Sequence, residues 1–353
     1  MMKRVFVAFL VVAATTSMFT AGSPQDGSAQ TVLEYGQSVR SWGMGAVGAA
    51  DDNDPANVFF NPAIIASNTG AFFTSRYGCT FDFDSGYPRI YQVGAGLVAR
   101  KTLSEGRAIK YGGGVSYAMI DWGDIHYCSG PDWWDCPIVR PKESTVVTTV
   151  GAEVEFNSPL SLGAGVSVKP WRYRSGEGTE YDATAIDWGL LLKARIIDEE
   201  GARLSASLGT GFLNLGGKYG PEAHEADQPR TFRYGLGMSY EGATSEYFHN
   251  RFGVDVPVLS AVVDYELTQD RRDYSYERGR AWGVGAEVSV LRILFLRTGF
   301  FKDEYDSQRD GMLGFGLGWS FKRGWCRFDL ASYPSYWRDQ DSFLYGLSAG
   351  LAL

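Results

Sequence analysis

The chain has 353 residues, of which 44% are hydrophobic and 14% aromatic, with 44 Gly and a formal charge of −8. Disorder is excluded by that composition, and a nucleic-acid-binding surface by the acidic balance without any basic run. Three His and four Cys leave little material for a metal cluster or a dense disulfide scaffold.

Residues 1–29 read as a secretory signal peptide. Lys3 and Arg4 give the positive start, Val5 to Ala14 is apolar, and small residues follow, with cleavage expected after Gly22 or Ala29. No later segment reaches the ~18 consecutive apolar residues of a spanning helix. Export to an oxidising compartment makes a disulfide possible.

Residues 30–70 show no alternation. Asn61 before Pro62, and Asp52-Asn53-Asp54 before Pro55, have the form of helix caps followed by a proline preset for the first turn. The expectation is two or three short helices joined by turns, with Val58, Phe59, Phe60, Ile64 and Ile65 to bury. The acidic run at 51–54 lacks the Gly and distal Glu of an EF-hand, so capping is its expected use.

From residue 71 to 353 the pattern has period two. In 232–241, Phe232, Tyr234, Leu236, Met238 and Tyr240 share one face, and Arg233, Gly235, Gly237, Ser239 and Glu241 the other. Leu313, Phe315, Leu317, Trp319 and Phe321 likewise oppose Gly314, Gly316, Gly318 and Ser320. Side chains alternate across a strand, so each such segment is a strand with one apolar face. Fourteen strands are predicted: 71–82, 88–100, 109–121, 144–156, 160–169, 183–197, 203–213, 231–241, 258–267, 280–290, 292–301, 311–321, 324–333 and 343–353.

Their connections alternate between long polar ones and tight ones such as 157–159, 198–202 and 322–324; 242–257 is long for a tight turn. This sorting is the pattern of a transmembrane antiparallel β-barrel. Arg or Lys facing lipid at the midplane costs about 2–4 kcal/mol. The face carrying Glu153, Lys169, Lys193, Arg195, Arg233, Asp264, Glu266, Glu287, Arg327 and Asp329 is therefore expected to line the lumen. On this reading Leu236→Arg should be costly and Gly235→Ser mild.

Cys128 and Cys136 share one long loop with Trp133 and Trp134 between them. A small disulfide ring is the expected state, two free thiols or half of a metal site the alternatives. Cys79 and Cys326 read as unpaired small hydrophobes. His126, His224 and His249 fall in connections, and no nucleophile–base pair is assembled by the pattern. Asp264 with Glu266, and Glu153 with Glu155, are carboxylates two apart on one strand face, as any polar-lined strand gives. The glycine strings lack the strand–loop–helix setting of a nucleotide site. The reading calls for no enzyme, no catalytic residue, no metal and no cofactor.

Gly43-Met44-Gly45, Asp51-Asp52 and Asn61-Pro62-Ala63-Ile64 together resemble the N-terminal signature of the PorV/PorQ group of outer-membrane proteins, within the FadL-like superfamily. The stretch "LRILFLRTGFF" and the later "FGLGWSF" are similar to that group's late strands. The resemblance implies an all-β, FadL-like barrel of about fourteen strands over 71–353, with 30–70 as a short helical N-terminal plug, in the outer membrane of a Gram-negative-type bacterium. It implies outer-membrane lipid as surroundings. It implies a role in protein secretion or cell-surface attachment, with secreted cargo proteins or other type IX-like secretion components as partners. The alternative it leaves open is a FadL-like channel for uptake of hydrophobic small molecules.

Overall fold

The computed structural model describes residues 38–67, 69–80, 89–104, 106–123, 125–126, 138–156, 159–174, 180–199, 201–216, 218–219, 226–227, 230–252, 256–271, 279–303, 312–321, 326–334 and 343–352. The expected signal peptide, residues 30–37, His224 and the Cys128–Cys136 pair lie outside the described residues, as do the side chains of Cys79, His126, Cys326 and Arg327.

Fourteen strands close into one antiparallel barrel. They are β1 (Gly70–Thr80), β2 (Arg89–Ser104), β3 (Arg107–Asp121), β4 (Lys142–Glu155), β5 (Leu160–Arg174), β6 (Glu180–Glu199) and β7 (Ala202–Gly216). The second half holds β8 (Arg230–Glu241), β9 (Leu259–Arg271), β10 (Gly279–Val290), β11 (Leu294–Asp303), β12 (Met312–Phe321), β13 (Cys326–Pro334) and β14 (Phe343–Ala352). Each strand pairs with its chain neighbours, and β1 pairs with β14 from Phe72↔Ala352 to Thr80↔Leu344, so no edge is left open. Every predicted strand corresponds to one of these. The largest change is in β5, which continues past residue 169, through Pro170, to Arg174.

Two features of the connections differ from the sequence expectation. Residues 242–257 contain a helix, Glu246–Phe252, rather than an overlong turn. Its flanks are tied by Ser245 N–H to the Val256 carbonyl (2.8 Å) and Val258 N–H to the Ala243 carbonyl (2.9 Å). At the opposite rim, short ladders Ile125↔Val139 and Lys218↔Asp227 extend two of the long loops.

The outer wall is apolar. Leu236, Met238 and Tyr240 are exposed on β8 while Arg233, Gly235 and Gly237 on the opposite face are buried, and Leu313, Phe315, Leu317 and Trp319 repeat the exposed row on β12. A soluble protein would bury that face. A closed barrel with an apolar outer band and a polar inner face belongs in a bilayer.

The inner face is filled by residues 38–67. Helix α1 (Val39–Gly43) is capped by Ser38, whose Oγ accepts from Ser41 N–H at 2.9 Å. Two 3-10 turns follow, Pro55–Phe59 and Pro62–Ala66. Asp54 caps the first through Ala56 N–H (2.9 Å) and Asn61 the second through Ala63 N–H (3.0 Å). Each cap precedes a proline that has no amide hydrogen to satisfy.

This inner segment runs around the wall on a track of glycines. Trp42 to Gly45 lie on Gly314, Gly299, Gly285 and Gly283, Ala49 and Ala50 on Gly209 and Gly235, and Asn61 and Pro62 on Gly189 and Gly165. At most of these positions a Cβ would fall on backbone of the inner segment, and at Gly189 on the Asn61 side chain. Gly45 returns the approach with φ +71°, its absent Cβ aimed at the Phe300 backbone.

That track corrects one expectation. A Cβ on Gly235 would sit 2.7 Å from Ala50 N and 3.0 Å from Ala50 Cβ, so Gly235→Ser must displace the inner segment. Both Leu236→Arg, at about 2–4 kcal/mol for a lipid-facing cation, and Gly235→Ser, through overpacking of about 1–3 kcal/mol, should lower the temperature at which the folded barrel loses its fast gel mobility. A wild-type-like Gly235→Ser would contradict the seating.

Candidate functional site

The lumen divides into a charged seam, a polar vestibule and an apolar cluster. The seam holds the inner segment to the wall. Arg40, fully buried on α1, donates Nε to Glu287 Oε2 (2.8 Å) and Nη2 to Glu287 Oε1 (3.0 Å), and pairs on its other side with Asp51. Glu287 also pairs with Arg297, which reaches Asp329 at 2.6 Å. Glu266 accepts from Gly48 N–H and Ala49 N–H, both at 2.8 Å, and pairs with Arg233. Arg233 in turn lies over the Phe60 ring at 4.4 Å, and Arg76 over Trp42 at 4.7 Å.

The vestibule opens at the short-turn rim, which is periplasmic in bacterial barrels. It is a cavity of about 880 Å³ lined by charged groups of both signs, including Asp52, Arg100, Lys110, Glu153, Glu155 and Lys193. Lys193 bridges Glu153 (2.7 Å) and Asp52 (3.0 Å), and Lys110 reaches Glu155 at 2.9 Å.

Toward the long-loop rim the character reverses. Val58, Phe59 and Ile65 of the inner segment belong to one buried apolar cluster with Ile90, Ala118, Ile120, Trp122, Val147, Trp171 and Ala185 of the wall. Tyr173, Tyr181 and Ala183 pack against it. Glu143, buried among these, accepts from Trp122 Nε1 (3.1 Å) and Trp171 Nε1 (3.3 Å), fixing both indoles.

The cluster meets a gap in the wall. The β4–β5 ladder holds Thr145↔Trp171, then resumes at Thr148↔Val168, leaving Val146, Val147, Lys169 and Pro170 outside it. Pro170 has no N–H to offer. Its carbonyl accepts instead from the Thr145 hydroxyl at 3.0 Å. Lys169 turns inward to Asp187 (2.6 Å) and Asn214 (3.1 Å), and Asp187 sits in the β6 bulge between Ile186 and Trp188. Over the gap lies a cavity of about 520 Å³, lined by Tyr117, Val146, Pro170, Trp171, Ala183 and Thr184 among others. Trp171 thus belongs both to the buried cluster and to the lining of that outer cavity.

The residues singled out from sequence are distributed as follows. Glu153, Lys169, Arg233, Asp264, Glu266, Glu287 and Asp329 are buried, and Lys193 is partly so. Arg195 shares the inward parity and lines the vestibule, but it is exposed and paired with Asp198 at 2.8 Å because it lies at the open rim. Arg327 lies in β13 opposite Ser320 and Gly350. Of the N-terminal motif, Gly43, Met44, Gly45, Asp51, Asn61, Pro62 and Ala63 are buried, and Asp52 faces Lys193.

Arg40, Arg76, Asp187 and Arg297 are also central to the lumen, beyond the charges expected there from the sequence. Arg297 was legible, since it alternates with Gly299 in a strand whose other face is Leu294, Leu296, Thr298 and Phe300. Arg40 gave no such signal, lying where nothing alternates. Among the described residues no group of three or more His, Cys, Asp or Glu is placed to hold a metal.

No family model matches the sequence, and no curated protein is similar to it. Solved structures are similar in fold. CymD, a monoaromatic hydrocarbon channel, superposes with a TM-score of 0.53 at 12% identity, covering 92% of this chain and 99% of its own. The barrel has a FadL-like fold. The toluene transporter TbuX of Ralstonia pickettii gives a TM-score of 0.50 at 14% identity, with 89% and 96% covered. The P. putida toluene transporter TodX gives 0.50 at 12% identity, with 89% and 98% covered.

Proposed function

We propose that this FadL-like barrel is an outer-membrane channel that admits hydrophobic small molecules and releases them through its side wall. The observation that carries this reading is the unpaired stretch at Pro170, where the buried apolar cluster reaches a cavity on the lipid-facing wall. An apolar solute leaving there enters hydrocarbon without crossing the polar vestibule, and so keeps the favourable transfer of its surface. The hydrocarbon channels of similar fold support it. The secretion-shuttle reading rests on the sequence resemblance of the N-terminal motif and the late strands, and the wall gap has no part in it.

The test is a staple across the gap. Val146 and Pro170 face each other where the ladder is broken, so Val146→Cys with Pro170→Cys should close it on oxidation. Uptake of a hydrocarbon probe such as toluene into proteoliposomes should fall at least about tenfold on oxidation and recover on reduction only as far as Pro170→Cys alone, which itself restores the ladder donor. Pro170→Val, which restores one ladder donor, should slow uptake without any thiol chemistry. Unchanged uptake in both variants would remove the gap from the pathway.

A further inference from the structure

The chain is acidic overall, yet its outward face gathers cations at one place on the long-loop rim. Arg89 of β2, Asp121 of β3, Lys142 of β4 and Arg174 of β5 stand side by side in the ladder. This row faces outward, since the chain neighbours Ile90, Ile120 and Glu143 are buried on the inner side. Arg174 is matched by Glu180 and, one outward position lower, Arg172 by Asp182. Asp121 has no such single match. Its Oδ1 accepts from Arg140 Nε at 3.1 Å, its Oδ2 lies 3.5 Å from Lys142 Nζ, and Arg89 is its partner in the β2–β3 ladder. Three exposed cations thus surround one carboxylate. Such an excess at the height of lipid headgroups attracts phosphate, which guanidinium and ammonium groups hold by charge-assisted hydrogen bonds.

The side-wall cavity of about 520 Å³ lies directly beneath. Below Asp121↔Lys142 the same two strands present Met119↔Ser144 and then Tyr117↔Val146 on the outward face. Ser144 and Arg172 line the cavity nearer the cations, Tyr117, Val146 and Pro170 its far end. From Lys142 to Val146 is about 13 Å along the strand, within the outward half of a hydrocarbon core about 30 Å thick. The cavity also continues the exposed apolar row of Val146 and Val150, so what fills it comes from the bilayer. A lipid with its phosphate on the cations has its acyl chain at the level of this cavity.

We propose that Arg89, Arg140 and Lys142 bind the phosphate of an acyl lipid in the outward-facing leaflet, with one acyl chain in the cavity over Val146 and Pro170. Such binding needs only the membrane placement of the barrel, and no passage of solute through the wall.

The test is equilibrium binding of bisphosphorylated lipid A to the purified full chain, folded in micelles of an uncharged detergent. Arg89→Gln with Lys142→Gln, which leaves Asp121 its bond from Arg140, should weaken binding about tenfold or more, the loss expected when hydrogen bonds to a charged group go. Val146→Trp, which fills the cavity and keeps every charge, should also weaken it. Thr184→Trp, in the same cavity, takes its place if Val146→Trp lacks the fast gel mobility of a folded barrel. Arg203→Gln, at the opposite rim, should leave the affinity unchanged, and inorganic phosphate, which has no chain, should bind far more weakly than lipid A. An unchanged affinity in the Arg89 and Lys142 double variant or in the folded cavity variant overturns the proposal. So does an equal loss in Arg203→Gln, or lipid A binding no tighter than inorganic phosphate.

Discussion

Arg40→Met should destabilise the folded barrel by about 3–5 kcal/mol, the cost of removing one partner from a buried ion pair. Arg40 is fully buried between Glu287 on the wall and Asp51 in the inner segment, so its loss withdraws a cation from two carboxylates at once. Methionine fills much of the space, which leaves the electrostatic loss as the main effect. The measurement is the midpoint of urea unfolding from lipid vesicles, followed by gel mobility. Arg40→Met with Asp51→Asn should be less destabilised than Arg40→Met alone, because the carboxylate stranded by the first change has gone, whereas Glu287 keeps Arg297. Additive losses would mean that the two residues do not share a site.

Much of this architecture is written in local pattern. Alternation fixes the strands because the side-chain period of two is insensitive to what packs on either face. The caps at Asp54 and Asn61 are legible because each satisfies its own turn within two residues. What is not legible depends on partners far apart in the chain. Gly235 looks like any lumen glycine until Ala50 is found against it. Arg195 carries the right parity for the lumen and lines the vestibule, but it comes close to the strand's end at Glu199 and so stands at the open rim. Pro170 reads as the end of a strand, because a proline takes a donor out of the ladder. The strand instead continues to Arg174, held by Trp171↔Thr145 and by cross-strand pairs Arg172–Asp182 and Arg174–Glu180. A sequence shows the missing donor; that the wall tolerates the resulting gap follows only from the ladder resuming on both sides of it.

Deleting residues 43–66 should turn a closed barrel into an ion-conducting pore. These residues occupy the middle of the lumen, and the wall beneath them is rich in glycine on β5 to β8 and on β10 to β12, so their removal uncovers a broad surface. Glu266 would lose the amides of Gly48 and Ala49, and Lys193 its contact with Asp52. Those side chains would be met by water, which enters readily because the inner wall is charged, while the fourteen-strand ladder is made among the strands themselves and includes none of the deleted stretch. In planar bilayers the intact protein should be silent or nearly so, and the deletion variant should show steady open-channel current. A large steady conductance from the intact protein would mean that ions already pass the inner segment, and a general diffusion pore would then replace the side-wall channel as the better account.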